Sequence, residues 1–190
     1  MRVLYYTNSD VTDENVIPNI IKRLTGDKVI IYKKKISIEF LKKNEIEFII
    51  SDRSRALITK DVIKLLPKRI VNLHPSFLPW NRGYHPNYWS AKENTPYGVT
   101  IHYIDEGIDT GMIIAQTEFT ISKEKDTLKL SYKRLRKLMI SLFENCWTDI
   151  RNFNVGEKTQ EGKGTLHYKD DFKGKFESLK LGWNTKLKDI

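Results

Sequence analysis

Hydrophobic and polar positions along the first 75 residues fall into blocks that predict strands and helices in turn. Short apolar runs predict strands, and amphipathic stretches between them predict helices. Strands that alternate with helices connect through right-handed crossovers and build a mainly parallel sheet that is covered on both faces. The predicted strands are 3–6, 29–32, 48–50 and 70–73, and the predicted helices are 14–24, 38–41 and 61–66.

The pattern changes after residue 96. Residues 97–104 alternate apolar and polar side chains, and residues 112–121 follow closely enough to pair with them as an antiparallel hairpin across the turn at 105–111. This alternation places His102 on the strand face opposite Val99 and Ile101. The predicted fold class is therefore α/β and Rossmann-like, with a mainly parallel twisted sheet, an antiparallel C-terminal hairpin and helices on both faces.

The remaining chain predicts a long helix and a short extension. The helix starts at an Asp-Thr cap at 126–127 and carries one apolar stripe that belongs in the core, formed by Leu128, Leu135, Leu138, Met139, Leu142, Phe143, Cys146 and Trp147. Residues 162–170 are polar and punctuated by glycine, which predicts an appended loop or hairpin. We predict one domain at 1–154 and a C-terminal extension at 155–190 that packs on it.

Length and composition narrow the class of protein. The chain has 190 residues, which matches one domain of ordinary size. It lacks an apolar run of about 18 residues, so we expect neither a membrane span nor membrane association. Its single cysteine, Cys146, rules out an intramolecular disulfide and fits a small buried side chain in a reducing compartment. We therefore expect a cytoplasmic protein.

The charge is basic, with 33 Lys and Arg against 24 Asp and Glu and a formal net charge of +9. Most of the excess lies in scattered lysine groups, at 33–35, 42–43 and 173–175, and such groups commonly form a solvated surface. A phosphorylated small substrate and RNA are the other partners that this charge favours. Charge alone does not separate these three interpretations.

Polar side chains cluster where strands are predicted to end, which is where open α/β sheets carry their chemistry. Asn72 and His74 end the fourth strand, His102 ends the next, and Asp109 lies in the turn that follows. The order Asn-x-His-Pro-Ser, then a strand ending in His, then Asp-Thr-Gly resembles the catalytic domain of the N10-formyltetrahydrofolate-dependent formyltransferases. The resemblance extends from about residue 48 to residue 147.

This resemblance implies roles for individual residues. It implies N10-formyltetrahydrofolate as co-substrate, no metal, and Asn72, His74 and Asp109 as catalytic residues, supported by His102 and Ser76. It places the folate between segments 53–58 and 104–108, largely on main-chain groups. The folate-binding residues expected there are Arg55, Leu57, Ile58, Asp105, Gly107 and Ile108.

The residue types also suit formyl transfer on physical grounds. Transfer of a formyl group to an amine passes through a tetrahedral intermediate, which needs a hydrogen-bond donor for the oxyanion and a group that moves protons. The neutral amide of Asn72 can donate to the oxyanion, and His74 titrates near neutrality. A nearby Asp109 would raise the pKa of His74 and orient its ring. Ser76 lacks a nucleophile-elbow context, which favours a helper or structural role.

The acceptor of the formyl group is predicted by comparing four branches of the family. Phosphoribosylglycinamide formyltransferases carry a glycine-rich phosphate loop after the first strand, whereas residues 5–10 contain no glycine. Methionyl-tRNA formyltransferases add a barrel-like domain for which too few residues follow 147, and the deformylases begin with a regulatory domain. The sugar N-formyltransferases fit best, because they share the Leu-Pro-Trp-Asn-Arg-Gly, Pro-Asn and Trp-Ser motifs found at 78–90. The acceptor-binding residues expected from these motifs are Trp80, Asn81, Arg82, Gly83 and Asn87.

The sequence therefore predicts an N-formyltransferase that acts on a nucleotide-linked amino-dideoxy sugar, such as dTDP-4-amino-4,6-dideoxyglucose or its 3-amino or UDP-linked analogue. The expected role is in surface polysaccharide biosynthesis, including the O-antigen of lipopolysaccharide. The family also leads us to expect a homodimer. Phosphoribosylglycinamide or methionyl-tRNA formyltransferase is the enzymatic alternative, and a basic RNA-binding module is the non-enzymatic one.

Overall fold

The computed structural model describes residues 1–8, 15–54 and 56–190. The strands in this part of the chain are β1 (Arg2–Tyr6), β2 (Lys28–Tyr32), β3 (Phe48–Asp52), β4 (Ile70–His74), β5 (Arg82–Gly83), β6 (Gly98–Tyr103), β7 (Ile113–Glu118) and β8 (Leu166–His167). The helices are α1 (Val16–Thr25), α2 (Ile38–Lys43), α3 (Lys60–Leu65), α4 (Pro86–Glu93) and α5 (Leu128–Arg151), and three 3-10 helices follow at Asp170–Phe172, Gly182–Asn184 and Leu187–Asp189. The predicted start of the first helix, Glu14, lies outside the described residues.

Six strands form one sheet in the order β2-β1-β3-β4-β6-β7. The first four strands in this order are parallel to one another, whereas β6 runs antiparallel to β4 and β7 antiparallel to β6. The predicted α/β fold class, with its antiparallel C-terminal hairpin, is confirmed. Because β4 and β6 run in opposite directions, Asn72 lies directly across from His102 in the register.

The sheet is packed on both faces, and β1 illustrates how. Val3 and Tyr5 belong to a core cluster that includes residues of α1 and α5, whereas Leu4 and Tyr6 belong to a second cluster with residues of α2 and α3. Alternate side chains of a strand point to opposite faces, so a strand that is covered twice reads as an unbroken apolar run. This explains why the first strand of the sequence shows no alternation.

Helix α5 is the longest element and lies against the first of these clusters. Its N-terminus is capped by Thr127, whose hydroxyl accepts a hydrogen bond from the Leu130 amide at 3.2 Å. The predicted stripe faces the core: five of its members are buried and Leu138, Leu142 and Cys146 are half-buried. Burial raises the pKa of the Cys146 thiol, which favours its protonated form.

In the C-terminal segment, residues 162–170 are mostly irregular, as predicted for a loop, but they include the two-residue strand β8, which is not part of a local hairpin. Strand β8 pairs in parallel with β5, so Gly83 is aligned with His167 across a gap of more than 80 residues. Leu187 is buried further along the segment, and its amide donates to the Asp126 carbonyl at 3.0 Å. A local hydrophobic pattern cannot report a pairing of this kind, because the two partners are short and distant in sequence.

Candidate active site

The ends of β4 and β6 and the turn that follows β6 bring four polar side chains together. Asn72 and His102 are cross-strand neighbours, and neighbours of this kind share one face of a sheet. His74 lies two residues beyond Asn72 at the end of β4, and the turn at 105–111 returns Asp109 to the same place. The structure therefore brings the three predicted catalytic residues and His102 into one group.

Asp109 is the centre of this group. Its Oδ1 accepts a hydrogen bond from Asn72 Nδ2 at 3.1 Å, and its Oδ2 accepts one from the Gly83 amide at 2.8 Å. Nδ1 of His74 and Nε2 of His102 each lie 3.5 Å from the carboxylate. Burial alone would raise the pKa of Asp109, but the positive charge of His74 and His102 in their protonated forms and the hydrogen bond from the Gly83 amide hold that pKa well below its usual range.

The partners of the His102 ring indicate its tautomer. Its Nδ1 lies 2.8 Å from the Tyr103 carbonyl, which can only accept a hydrogen bond, so Nδ1 carries the proton. Nε2 is then the acceptor for the second N–H of Asn72, at 3.2 Å. Both N–H groups of the Asn72 amide are therefore engaged, one by Asp109 and one by His102.

The same reasoning applies to His74. Its Nε2 lies 3.1 Å from the Asn81 carbonyl and donates to it, which leaves the lone pair of Nδ1 on the side of Asp109. Burial lowers the pKa of His74 below its ordinary value, although the attraction of Asp109 opposes this shift. The predicted upward effect of Asp109 is present, but loss of solvation outweighs it, so the net shift of the His74 pKa is downward.

A cleft of about 490 Å³ opens beside this group. Asn72, His102 and Asp109 line it together with two walls, while His74 is buried behind Asp109. The loop wall consists of Ser54, Ala56, Leu57, Ile58, Ile104, Asp105, Glu106, Gly107 and Ile108, and the C-terminal wall consists of Gly83, Tyr84, His167, Tyr168 and Lys169. The loop wall contains the predicted folate-binding residues except Arg55, which lies outside the described residues.

Two predicted acceptor-binding residues have buried side chains whose partners all belong to the protein. The side-chain amide of Asn81 is hydrogen-bonded to three hydroxyl groups, those of Ser90, Thr95 and Thr165. The amide of Asn87 donates to the Leu128 carbonyl at 2.9 Å and accepts from the Ser131 hydroxyl, which joins α4 to α5. These two asparagines hold elements together, contrary to the expectation that they contact the acceptor.

Of the other residues of that motif, Gly83 lines the cleft. Trp80 is half-buried, and Arg82 is half-buried with its guanidinium on Gln160. The hydroxyl of Ser76 is buried and donates to the Trp80 carbonyl at 2.8 Å, which fits the expected structural role.

Sequence reasoning missed most of the C-terminal wall. Tyr168 and Lys169 lie in the segment that was predicted to be an appended loop, and Tyr84 lies just beyond the acceptor motif. These positions carry no periodicity or motif that points to a site. Only the β5–β8 pairing, which includes a hydrogen bond from the Tyr84 amide to the His167 carbonyl at 2.8 Å, brings them to the cleft.

The described ranges contain no group of three or more His, Cys, Asp and Glu residues that could hold a metal ion. In the same part of the chain, no helix has the length and apolar character needed to cross a bilayer. The cleft itself presents an amide, an imidazole and a carboxylate, which can donate to an oxyanion and move protons.

Comparison with known proteins agrees with this geometry. The family model described as formyl transferase matches residues 30–145. A dTDP-4-amino-4,6-dideoxyglucose formyltransferase of Mycobacterium tuberculosis is 38% identical over 104 residues, which are 55% of this chain but 44% of that protein. The chain thus spans less than half the length of this curated relative.

A solved structure matches over the whole chain. The formyltransferase PseJ from Anoxybacillus kamchatkensis, in complex with UDP-4,6-dideoxy-4-formamido-L-AltNAc and tetrahydrofolate, is 35% identical with a TM-score of 0.91. The match covers 100% of this chain and 98% of PseJ. Since the family model spans more than half of the sequence and a family structure aligns along all of it, the chain belongs to the formyl transferase family.

Proposed function

We propose that the protein is a folate-dependent N-formyltransferase. It moves a formyl group from N10-formyltetrahydrofolate to the amine of a nucleotide-linked amino-dideoxy sugar. The observation that carries this proposal is the group of Asn72, His74, His102 and Asp109 at a cleft, in a chain that aligns with PseJ along its length. PseJ was solved with a UDP-linked formamido sugar and tetrahydrofolate, which supports both substrates.

The loop wall suits the folate. Leu57 is 76% exposed and, with Ile58 and Ile108, offers apolar surface to the flat ring of a pterin. Main-chain groups near Asp105 and Gly107 can supply the polar contacts. Arg55 keeps its proposed role through the family resemblance.

The C-terminal wall suits the acceptor. Tyr168 is 55% exposed at the cleft, and an exposed aromatic ring can stack on a sugar or a base. Lys169 next to it offers a positive charge to a diphosphate. Gly83 belongs to this wall, while Trp80 and Arg82 keep their proposed roles through the family resemblance.

The four side chains divide the chemistry between them. The acceptor amine attacks the formyl carbon, a new C–N bond forms, and negative charge develops on the formyl oxygen. Asn72 turns the N–H that it gives to His102 towards this oxyanion. Asp109, which lines the cleft, passes the amine proton on to Nδ1 of His74 behind it and stabilises the resulting imidazolium. The proton returns by the same route to N10 as the bond from N10 to the formyl carbon breaks.

The setting of this reaction follows from the proposed substrates. Nucleotide-linked sugars and folates are cytoplasmic metabolites, so we place the reaction in the cytoplasm, and its product would serve surface polysaccharide such as the O-antigen of lipopolysaccharide. We also propose a homodimer, to be tested by light scattering, and a division into a catalytic domain at 1–154 and an extension at 155–190.

An absorbance assay for tetrahydrofolate release tests the proposal. The acceptors are dTDP-4-amino-4,6-dideoxyglucose, its 3-amino isomer, the UDP-linked amino sugars and glycinamide ribonucleotide. We expect turnover with one amino sugar and none with the ribonucleotide. Turnover with the ribonucleotide alone would assign the protein to the phosphoribosylglycinamide branch.

Variants test the mechanism in the same assay. His74→Ala and Asp109→Asn should lower kcat about 100- to 1000-fold, because each removes a group that acts on the transition state. Asp61→Asn, an exposed carboxylate on α3, is the matched control and should retain full activity. Full activity in both site variants would overturn the assigned roles.

A further inference from the structure

The side-chain amide of Gln160 uses its full hydrogen-bonding capacity, two donors and two lone pairs. Its Nε2 donates to the carbonyls of Asp109 and Gly111 at 2.8 and 2.9 Å. Its Oε1 accepts from Nε and Nη2 of Arg82 at 2.9 and 2.7 Å. The orientation of the amide is unambiguous, because the guanidinium can only donate and the two carbonyls can only accept.

The turn that carries Asp109 needs to be held. Asp109 has φ +52°, in the left-handed region that side chains rarely adopt. The first half of the turn is held from within, since the Asp105 carboxylate accepts hydrogen bonds from two groups of the same turn. The second half is held from outside, by Gln160 on the carbonyls of Asp109 and Gly111.

The contact between Gln160 and Arg82 also connects to the Asp109 carboxylate, through strand β5. Arg82 belongs to β5, and its backbone amide donates to the Thr165 carbonyl at 3.0 Å. The next residue, Gly83, donates its backbone amide to Asp109 Oδ2 at 2.8 Å. Gln160 thus links the backbone of the Asp109 turn to strand β5, whose Gly83 amide binds the Asp109 carboxylate.

We propose that Gln160 is a positioning residue, which sets the Asp109 carboxylate between His74 and His102. It lies outside the cleft lining and acts through Asp109 and Arg82. The inference rests on the proposed function for its catalytic consequence, because Asp109 must stabilise the imidazolium. It extends that function to a residue in the C-terminal segment that no sequence motif marks.

Two substitutions separate the contacts of Gln160. Gln160→Ala removes them all, whereas Gln160→Glu keeps an acceptor for Arg82 and replaces the donor to the turn with an oxygen that repels both carbonyls. Glu161→Ala, an exposed neighbour in the same segment, is the matched control.

Hydrogen exchange of the full-length protein, followed by NMR, reads the position of Asp109 without any substrate. The Gly83 amide should exchange about 10-fold faster or more in both Gln160 variants. The Tyr84 amide, which donates to the His167 carbonyl, is the internal reference and should keep its protection. In the formyl-transfer assay kcat should fall about 10- to 100-fold while both KM values stay within about threefold.

The outcomes are distinct. Selective loss of protection at Gly83 with lowered kcat, and no change in Glu161→Ala, supports the positioning role. Normal kcat and exchange in Gln160→Glu would overturn it, and so would loss of protection throughout the chain, which indicates a general structural role. If the wild-type protein transfers no formyl group to any acceptor, the proposed function fails, while the exchange at Gly83 still decides whether Gln160 holds Asp109.

Discussion

His74 shows how a single residue combines a proposed chemical role with an environment that disfavours its charged form. Its side chain is 6% exposed, and burial disfavours the charged form. Nε2 is fixed by the Asn81 carbonyl, which keeps Nδ1 free as a base towards Asp109. A neutral imidazole of this kind is ready to accept a proton at neutral pH.

The lowered pKa of His74 predicts the pH dependence of catalysis. Because the neutral ring is the active form, kcat/KM should rise through an apparent pKa below about 6.5 and stay level at neutral pH. The unfolded chain binds this proton first, so the contribution of His74 to stability is present above about 6.5 and is lost as the pH falls through the lower folded pKa. A rate profile from about pH 5 to 8 measures the first effect, and an inflection above about 6.5 would contradict the assignment.

The residue types of the site could be predicted from the sequence, but their electrostatics could not. Asn72, His74 and Asp109 were found because a dense motif carries them at the ends of strands. The direction of the His74 pKa shift depends on how much solvent the folded chain removes, and that quantity has no local signature.

At the scale of elements, the arrangement of the site depends on the pairing of β5 with β8. It seats the C-terminal wall and places the Gly83 amide on Asp109. Gly83 has φ +87°, and a Cβ there would lie 2.3 Å from the His167 carbonyl oxygen. Only glycine therefore fits at this position, because of the positive φ and, independently, because of the close approach of His167.

Gly83→Ala should disrupt the β5–β8 pairing and the hydrogen bond from residue 83 to Asp109. We expect kcat to fall about 100-fold or more and the free energy of unfolding to drop by about 2 kcal/mol, because the backbone must leave both β8 and Asp109. Gly156→Ala is the control, since a Cβ there meets no atom within 4 Å and its φ is not positive. Thermal unfolding is measured alongside activity. Equal activity in the two variants would show that formyl transfer does not require the β5–β8 pairing.

A second link between elements lies far from the cleft, where the end of α1 meets the end of α5. Asp27 is buried just after α1, and both carboxylate oxygens accept hydrogen bonds from the Arg151 guanidinium, at 2.6 and 2.9 Å. Burial alone would raise the pKa of Asp27, but the hydrogen bonds from Arg151, from the amino group of Met1 and from Thr25 outweigh it and lower that pKa to about 2.

Asp27→Asn should lower the free energy of unfolding at pH 7 by about 1–3 kcal/mol without changing kcat. The folded pKa is depressed, so this contribution is present above the ordinary pKa of about 4 and is lost as the pH falls towards 2. Urea titrations of wild type and variant at several pH values measure the difference. A gap that stays constant down to pH 2 would contradict the role of the ionised carboxylate.

At the scale of the whole molecule, the excess of 33 Lys and Arg over 24 Asp and Glu leaves the RNA-binding alternative to be tested. Part of the positive charge is neutralised locally, as where Lys60 pairs with Glu106 and Lys188 with Glu124. The lysine groups are scattered and exposed, which is typical of a solvated surface.

We therefore expect tRNA to bind weakly and to leave formyl transfer to the amino sugar uninhibited. Binding measured at about 50 and 200 mM salt should fall steeply, because such contacts release counterions, and should be equal in wild type and His74→Ala. Tight binding that resists salt and disappears in His74→Ala would instead favour tRNA as the acceptor.

The sequence by itself determined the α/β class, the strands of the main sheet with the helices that connect them, and the motif residues that line the cleft, Asn72, His102 and Asp109. It could do so because hydrophobic periodicity and strand-end motifs are local properties of the chain. Only the tertiary structure decided that residues 155–190 complete the cleft, that Asn81 and Asn87 are buried supports, and that Gln160 holds the turn of Asp109. These features depend on pairings between distant segments and on burial, and both arise only when the whole chain has folded.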